Sequence, residues 1–195
     1  MMRLLLIRHG LTAWNESGLI QGRADPGLSA RGRAEVAAWR LPEAWADARW
    51  LTSPLRRAKE TAALLTDRPV VVDPRLIEMD WGAWEGRRGA DLRAVAPDEL
   101  AGNEALGLDL RPPSGESPRE VCGRLQALAA ELAIDATPVV AVCHKGVIRA
   151  ALALATGWDM RTAPPLRLRR DQALALVCEP GGRLRLEPPP LPLAA

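Results

Sequence analysis

Leu4-Leu5-Leu6-Ile7-Arg8-His9-Gly10 is an apolar run that stops at a histidine and a glycine, and a second stretch, Val139-Val140-Ala141-Val142-Cys143-His144-Lys145-Gly146, repeats this form. Apolar runs without polar alternation are typical of central strands that helices cover on both faces. His9 and His144 are the two histidines of the chain, and each directly follows such a run. Open α/β sheets bind ligands at the carboxyl ends of their strands. We therefore expect both imidazoles to lie in one shared site.

The composition predicts a single soluble domain with no nucleic acid or membrane as a partner. The chain has 195 residues, 48% of them hydrophobic, which is enough for one well-buried domain over residues 1–187. Its 26 basic and 24 acidic residues leave a formal charge of +2, which is close to balance. Three cysteines in apolar surroundings favour a reduced, cytoplasmic location. The sequence shows neither a signal peptide nor an apolar run of membrane-spanning length.

Predicted strands alternate with predicted helices along the chain. This order predicts the α/β class, as a three-layer α/β/α sandwich with a mainly parallel central sheet. Ser53-Pro54 is interpreted as an N-cap followed by a proline at the first helical position. Strands are predicted at 3–7, 49–52, 70–72 and 138–143, helices at 30–39, 54–65, 118–133 and 146–155, and a terminal hairpin at 172–178 and 183–186.

Two segments interrupt this regular order. Residues 79–114 lack a clear period and are rich in glycine, tryptophan, arginine and acids, which favours a lid or a substrate-side insertion. Residues 188–195 form a proline-rich tail, which we expect to be extended and poorly ordered.

Arginines near the two histidines indicate a phosphorylated substrate. Arg8 places a permanent, forked cation beside His9, which suits a tetrahedral dianion better than a neutral carbonyl. The predicted helix after Ser53-Pro54 offers unpaired N–H groups and a positive dipole end to an anion. Arg57 or its neighbour Arg56 could face the site from that helix, since adjacent helical residues point about 100° apart. A solvated helix face is the alternative for either arginine.

A histidine nucleophile needs three kinds of support for attack on phosphorus. These are cations on the phosphoryl oxygens, a fixed tautomer and an acid for the leaving oxygen. Arg8, Arg57 and His144 can supply the first, and a backbone carbonyl bound to the other ring nitrogen of His9 can supply the second. Glu78, the first acid after the 70–72 strand, is the best candidate for the third, and it would later take a proton from the attacking water. This chemistry requires neither a metal nor a cofactor.

These residues stand in motifs that resemble those of the histidine phosphatase superfamily, which includes the cofactor-dependent phosphoglycerate mutases. The resemblance implies that His9 is the phosphorylated nucleophile and that Arg8, Arg57 and His144 form the phosphate pocket. It selects Arg57 over Arg56, because the pocket arginine of the family directly precedes an alanine. The matching blocks lie in the order of the family, at residues 6–15, 20–25, 53–62, 76–86 and 143–149.

The same resemblance implies roles for further residues. Glu78 matches the proton donor, and Asn15 and Gln21 match positions that line the phosphate or the substrate, with Gly22 beside them. Lys145 replaces a glycine frequent in the family, and it adds either a cation at the pocket rim or a solvated side chain. Leu11 and Trp81 also depart from the usual residues, and none of the three departures removes a chemical role.

The length of the chain favours a phosphatase over a mutase. The chain lacks the longer insertions of the mutases and resembles the smaller phosphatases, including the α-ribazole phosphatase-like branch. We therefore expect a phosphomonoesterase that acts on a small phosphorylated metabolite, such as α-ribazole 5'-phosphate or a sugar or glycerate phosphate. The alternatives are a mutase-type phosphotransferase and a non-catalytic phosphate-binding module on the same fold.

A second nucleophile is conceivable, because residues 143–149 also satisfy C-x-x-G-x-x-R, the phosphate loop of cysteine-dependent phosphatases. That interpretation makes Cys143 a thiolate nucleophile at a helix N-terminus. It leaves Arg8, His9 and Arg57 without an explanation, and Val142 stands where that family has histidine. We therefore expect Cys143 to be a buried residue at a strand end.

Tryptophans and arginines outside the motifs have two interpretations each. The expected pocket walls are Trp14, Trp81 and Trp84, and the expected core tryptophans are Trp39, Trp45, Trp50 and Trp158. The segment 79–114 also carries Arg87, Arg88 and Arg93, which could bind a substrate carboxylate or a second phosphate. A solvated lid face is the favoured alternative for these three arginines.

Overall fold

A seven-stranded mixed sheet forms the centre of the molecule, and the computed structural model describes residues 1–193. The strand order is β3-β2-β4-β1-β5-β6, with β7 beside β5. Strands β3, β2, β4 and β1 are parallel, whereas β5 is antiparallel to its neighbours β1, β6 and β7. The strands are β1 (Met2–Arg8), β2 (Arg49–Thr52), β3 (Val70–Val72), β4 (Val139–Cys143), β5 (Gln172–Glu179), β6 (Arg183–Leu186) and β7 (Leu191–Pro192).

The register of the parallel strands brings the predicted site together. Arg8 at the end of β1 lies opposite Cys143 at the end of β4, and Thr52 at the end of β2 lies opposite Val142. The next residue of each strand, His9, His144 or Ser53, therefore lies at the same carboxyl edge of the sheet. The expectation that the two imidazoles share one edge is confirmed.

Helices cover both faces of the sheet. On one face, α6 and α7 pack their apolar sides against β1, β4 and β5, and on the other face α2 and α3 pack against the same strands. The α/β class and the three-layer sandwich with a mainly parallel sheet are confirmed. The helices are α1 (Ala13–Glu16), α2 (Ala30–Ala37), α3 (Arg56–Leu65), α4 (Gly89–Val95), α5 (Pro97–Glu104), α6 (Pro118–Leu132) and α7 (Lys145–Thr156).

The predicted helix cap at Ser53 is wrong. Helix α3 begins at Arg56, and its N-cap residue Leu55 makes no side-chain cap hydrogen bond. The Ser53 hydroxyl instead lies 2.7 Å from Nε2 of His144 and accepts a hydrogen bond from the Leu55 N–H at 3.3 Å. Ser53 is therefore part of the site, and sequence-local capping rules could not find its long-range partner.

Two other segments are more regular than the sequence predicts. Within residues 79–114, α4 and α5 are short helices, with few buried side chains to produce an apolar period. In the tail, β7 pairs with β5, the Leu193 N–H donates to Asp171, and the Leu193 side chain is buried. The expected poor order is therefore wrong up to Leu193, and the last two residues of the predicted tail lie outside the described residues. In residues 1–193, no helix has both the length and the apolarity needed to cross a membrane.

Candidate active site

A cavity of about 560 Å³ opens at the carboxyl edge of the sheet. His144 lies beneath its floor and is fully buried. The structure thus brings the predicted catalytic and substrate-binding residues to one place. Those that line the cavity are Arg8, His9, Asn15, Gln21, Gly22, Arg57, Glu78 and Lys145.

His9 is held as one neutral tautomer. Its Nδ1 lies 2.7 Å from the carbonyl oxygen of Gly10. Because a carbonyl can only accept a hydrogen bond, Nδ1 carries the proton and Nε2 keeps its lone pair. Burial, followed by the charges of Arg57 and Arg8, holds the pKa of His9 well below its usual value of 6.5. The ring is therefore neutral at neutral pH, and Nε2 is its free nucleophilic nitrogen.

His144 lies directly beside His9, with their ring centroids 5.1 Å apart. The Ser53 hydroxyl already accepts the Leu55 N–H, so its own proton is free to be donated to Nε2 of His144. Nε2 then acts as the acceptor, and Nδ1 carries the proton. Burial, and then the proximity of His9 and Arg57, keeps the pKa of His144 well below 6.5. His144 is thus a neutral hydrogen-bond donor.

Arg57 is fully buried and fixed by backbone carbonyls. Its guanidinium donates to the carbonyl oxygens of Ala24 at 2.6 Å and of Gly22 at 2.7 Å. Burial lowers the pKa of both Arg57 and Arg8, yet an arginine stays charged under all physiological conditions. The neighbouring Arg56 is exposed and pairs with Glu60 at 2.7 Å. Of the two arginines left open by helix geometry, the structure places Arg57 at the cavity.

Three buried nitrogen atoms of this site have no hydrogen-bond partner within the described residues. They are Nε of Arg8, Nε of Arg57 and Nδ1 of His144. Unsatisfied buried donors are rare in native proteins, because each loses its water without compensation, at a cost of about 1–3 kcal/mol. Donors from two cations and a neutral imidazole close to His9 indicate a place for an oxyanion.

Glu78 is a buried carboxyl with a raised pKa. Burial is the main cause, and it outweighs the opposing hydrogen bonds from Met79 and Gly146 and the charges of Arg57 and Arg8. Its Oε1 accepts the Met79 N–H at 2.9 Å and the Gly146 N–H at 3.0 Å. A Cβ atom on Gly146 would lie 2.3 Å from Oε1, so the contact requires glycine at this position. The site therefore holds a carboxyl group that can both donate and accept a proton.

Asn15, Gln21 and Gly22 line the cavity beside the two arginines. Asn15 belongs to a capping box with Thr12, whose hydroxyl also donates to Oε1 of Gln21 at 3.0 Å. The Gln21 amide group is thereby oriented by a buried contact. Gly22 has a φ of +52°, and a Cβ atom there would lie 1.9 Å from a carboxylate oxygen of Glu85. Gly22 therefore contributes its backbone, which holds Arg57.

The cavity wall also contains residues that the sequence analysis did not single out, namely Arg149 and Arg161. Arg149 belongs to the last motif block and stands four residues after Lys145, so helical spacing from Lys145 is the signal that could have found it. Arg161 follows α7 in a segment without a recognisable period.

The three arginines considered for a second anion do not line this cavity. Arg93 pairs with Glu104 at 2.8 Å, and Arg88 donates to the Ser17 carbonyl at 3.1 Å. Of the tryptophans expected at the pocket, Trp81 lines the cavity, whereas Trp14 and Trp84 do not. The four expected core tryptophans are buried, at Trp39, Trp45, Trp50 and Trp158.

Cys143 cannot act as the nucleophile of a cysteine-dependent phosphatase. Its side chain has no exposed surface, lies in the core cluster beneath α6 and α7, and does not line the cavity. Burial raises the pKa of its thiol far above neutrality, so no thiolate forms. The alternative built on C-x-x-G-x-x-R is therefore wrong. Across residues 1–193, no three histidine, cysteine or acidic side chains are grouped closely enough to hold a metal ion.

Comparison with known families agrees with this fold. The family described as the histidine phosphatase superfamily (branch 1) matches residues 4–186, which is nearly the whole chain. The chain therefore belongs to the histidine phosphatase superfamily.

Individual relatives give the comparison more detail. Glucosyl-3-phosphoglycerate phosphatase of Mycolicibacterium vanbaalenii is 37% identical over 185 residues, which cover 84% of this chain and 78% of the relative. A bifunctional protein of Mycobacterium tuberculosis is 36% identical over 186 residues, covering 91% of this chain and 50% of the relative, so the chain spans about half the length of that protein. The structure of a putative α-ribazole-5'-P phosphatase from Escherichia coli K-12 superimposes with a TM-score of 0.78 at 28% identity, covering 100% of this chain and 96% of the other.

Proposed function

We propose that this protein is a phosphomonoesterase that hydrolyses a small phosphorylated metabolite through a phosphohistidine intermediate on His9. The observation that carries the proposal is the group of three unpartnered buried donors, on Arg8, Arg57 and His144, around a neutral His9. Membership of the histidine phosphatase superfamily supports it. The names of the relatives favour a phosphatase over a mutase, since the 37% identical relative and the structural neighbour are both called phosphatases.

In the first step, Nε2 of His9 attacks phosphorus. The P–N bond forms as the ester P–O bond breaks, and Glu78 donates its proton to the leaving oxygen. Arg8, Arg57 and the Nδ1–H of His144 stabilise the charge on the phosphoryl oxygens. The hydrogen bond from Nδ1 of His9 to Gly10 orients the ring and stabilises the positive charge that it gains.

In the second step, the Glu78 carboxylate takes a proton from water. The water oxygen attacks phosphorus, the P–N bond breaks, and its electron pair returns to Nε2 of His9. Inorganic phosphate leaves, and both His9 and Glu78 recover their starting protonation states. A raised Glu78 pKa suits this alternation, because the group must give a proton in one step and accept one in the next.

The segment at residues 79–114 is proposed to form the substrate-side wall of a single domain that spans residues 1–187. It supplies Met79, Trp81 and Leu110 to the cavity, next to the polar residues that bind the phosphoryl group. We further infer a cytoplasmic location, which three free and buried cysteines support.

The test is capture of the phosphoenzyme. The protein is mixed with 4-nitrophenyl phosphate and quenched within milliseconds at alkaline pH, which preserves phosphohistidine, and the bound phosphate is located by peptide mass. We expect phosphate on His9, with turnover lost in His9→Ala and kept in the control Cys143→Ser. Phosphate on another residue would contradict the mechanism, and a lack of turnover on a broad panel of phosphomonoesters would favour a non-catalytic binding module.

A further inference from the structure

The cavity has a second group of basic residues, in addition to those proposed to bind the phosphoryl group. We call this group the second basic wall. Lys145 and Arg149 lie one helical turn apart on α7, and Arg161 follows in the segment after that helix. All three line the same cavity as His9 and Arg57. The proposed hydrolysis of a phosphomonoester gives none of them a role.

These three cations have no ion-pair partner within residues 1–193, although many arginines of this protein do. For example, Arg119 pairs with Asp109 at 2.6 Å. Like charges at positions i and i+4 of a helix repel each other, so the pair of Lys145 and Arg149 destabilises α7 unless an anion lies between them. Burial, followed by the charges of Arg8 and Arg149, lowers the pKa of Lys145, and these effects outweigh the opposing charge of Glu78.

Arg149 is also fixed in position before any ligand binds. Its guanidinium lies 4.9 Å from the ring centroid of Trp158, which is a cation–π contact. Burial lowers the pKa of Arg149, with no acidic group acting to raise it. A half-buried guanidinium held against a tryptophan keeps its donors in one orientation, so it loses little entropy on binding an anion.

The charges around the cavity exceed what one phosphoryl group neutralises. A phosphate dianion is matched by Arg8 and Arg57. Of the two acids that line the cavity, Glu78 is buried with a raised pKa, and Glu104 is paired with Arg93. The charges of the three cations of the second basic wall are therefore not neutralised by these groups. The apolar side chains of Trp81, Leu110 and Met160 line the same cavity.

We propose that the substrate carries a second anionic group, a carboxylate or another phosphate, which Lys145, Arg149 and Arg161 bind while the phosphoryl group to be transferred lies against His9. The proposal rests on the proposed function and names its substrate class: a phosphomonoester with a further anion, joined to it by a short carbon skeleton that contacts the apolar side chains of the cavity.

Competition against 4-nitrophenyl phosphate tests this proposal even if the competitor itself turns over slowly. Two pairs of competitors isolate the second anion: 3-phosphoglycerate against glycerol 3-phosphate for a carboxylate, and fructose 1,6-bisphosphate against fructose 6-phosphate for a phosphate. In at least one pair, we expect the inhibition constant of the more anionic compound to be lower by about tenfold or more, as charge-assisted hydrogen bonds provide. The pair that shows the difference identifies the second group.

Variants assign the difference to these cations. In Arg149→Gln and in Arg161→Gln, the ratio of the two inhibition constants should fall towards one, whereas Arg149→Lys should retain part of it. Arg167→Gln is the matched control, because Arg167 is exposed in the segment after Arg161 and does not line the cavity. Both inhibition constants are measured on the same sample of each variant. Partial unfolding lowers the amount of active protein but does not change the ratio of the two constants.

The outcomes separate this proposal from the proposed function. Equal inhibition within both pairs, or a ratio unchanged in both glutamine variants, overturns the second anion site and leaves the phosphatase intact. Absence of any inhibition by all four compounds also overturns it. Failure to hydrolyse 4-nitrophenyl phosphate or any of the four compounds removes the proposed function itself, and the second site with it.

Discussion

At the residue scale, the protonation states of His9, His144 and Glu78 define the chemistry of the site. Both histidines are neutral because burial and nearby arginines lower their pKa values, while burial raises that of Glu78. The nucleophile is therefore ready at neutral pH, and the raised pKa of Glu78, which lines the same cavity, favours its protonated form. Burial is the main cause of both effects, while the arginine charges add to it at the histidines and oppose it at Glu78.

The pH dependence of kcat/KM should report on Glu78. The first step needs a protonated Glu78, so kcat/KM for glycerol 3-phosphate should fall as the pH rises through the raised pKa of this carboxyl group. On the acid side, the low pKa of His9 should keep the nucleophile active well below pH 6.5. Steady-state kinetics from pH 4 to 9 measure both limbs.

Glu78→Gln supplies the comparison for this profile. Loss of the proton donor should lower kcat/KM for glycerol 3-phosphate by about 10²–10⁴-fold. The loss should be much smaller for 4-nitrophenyl phosphate, because nitrophenolate leaves without protonation. The ratio of wild-type to variant rates cancels the ionisation of the substrate. If kcat/KM fell equally at alkaline pH in wild type and in Glu78→Gln, the proposed role of Glu78 would be contradicted.

Ser53 should act through the tautomer of His144. In Ser53→Ala, the ring loses the donor at 2.7 Å from Nε2, and we expect kcat/KM to fall about tenfold to a hundredfold, the equivalent of about 1.4–2.8 kcal/mol. The protein has two histidines, so in ¹⁵N-histidine NMR the signals that remain in His9→Ala belong to His144. Wild type should show protonated Nδ1 and the variant a mixture of tautomers. An unchanged spectrum would leave Ser53 with a packing role alone.

At the element scale, short loops after parallel strands bring distant residues to the site. Helix α7 begins directly after His144 and places the Gly146 N–H on Glu78, while α3 begins three residues after Ser53 and buries Arg57. The buried Thr61 on α3 donates to the Arg57 carbonyl and accepts the Gly10 N–H at 3.0 Å. One hydroxyl thus joins α3 to the turn that carries His9.

A pair of glycine variants separates helix propensity from contact with Glu78. Gly146→Ala favours α7 by propensity, but its Cβ atom would lie 2.3 Å from Oε1 of Glu78. We expect kcat/KM to fall at least about tenfold, which corresponds to about 1.4 kcal/mol in the barrier. Gly123→Ala in α6 has no atom within 4 Å and should stabilise the protein by about 0.5–1 kcal/mol with normal activity. Full activity in Gly146→Ala would show that Glu78 can move without consequence.

At the scale of the whole molecule, the proline-rich segment adds a side chain to the apolar core on one face of the sheet. Leu193, next to β7, belongs to the apolar cluster that α2 and α3 form with the sheet. The tail therefore contributes to folding, although its four prolines predict an extended, solvated segment.

Truncation of the Leu193 side chain should reveal this contribution. Leu193→Ala should lower the free energy of unfolding by about 2–5 kcal/mol, because the site is buried and a cavity remains. Leu106→Ala, at a leucine that is 48% exposed, should change it by less than about 0.5 kcal/mol. Urea unfolding followed by tryptophan fluorescence measures both. Equal small effects would mean that the tail contributes nothing to the core.

The sequence by itself determined the central strands, their alternation with the main helices, and the convergence of Arg8, His9 and His144. The family resemblance of its motifs selected Arg57 and supported Glu78. Continuous apolar runs and residues at strand ends are local signals, and parallel strands must end at a common edge. The tertiary structure alone decided the Ser53–His144 contact, the Gly146–Glu78 contact, the basic wall at Arg149 and Arg161, and the burial of Leu193. Each of these joins segments far apart in the chain or depends on the direction of a side chain, and neither property produces a local pattern.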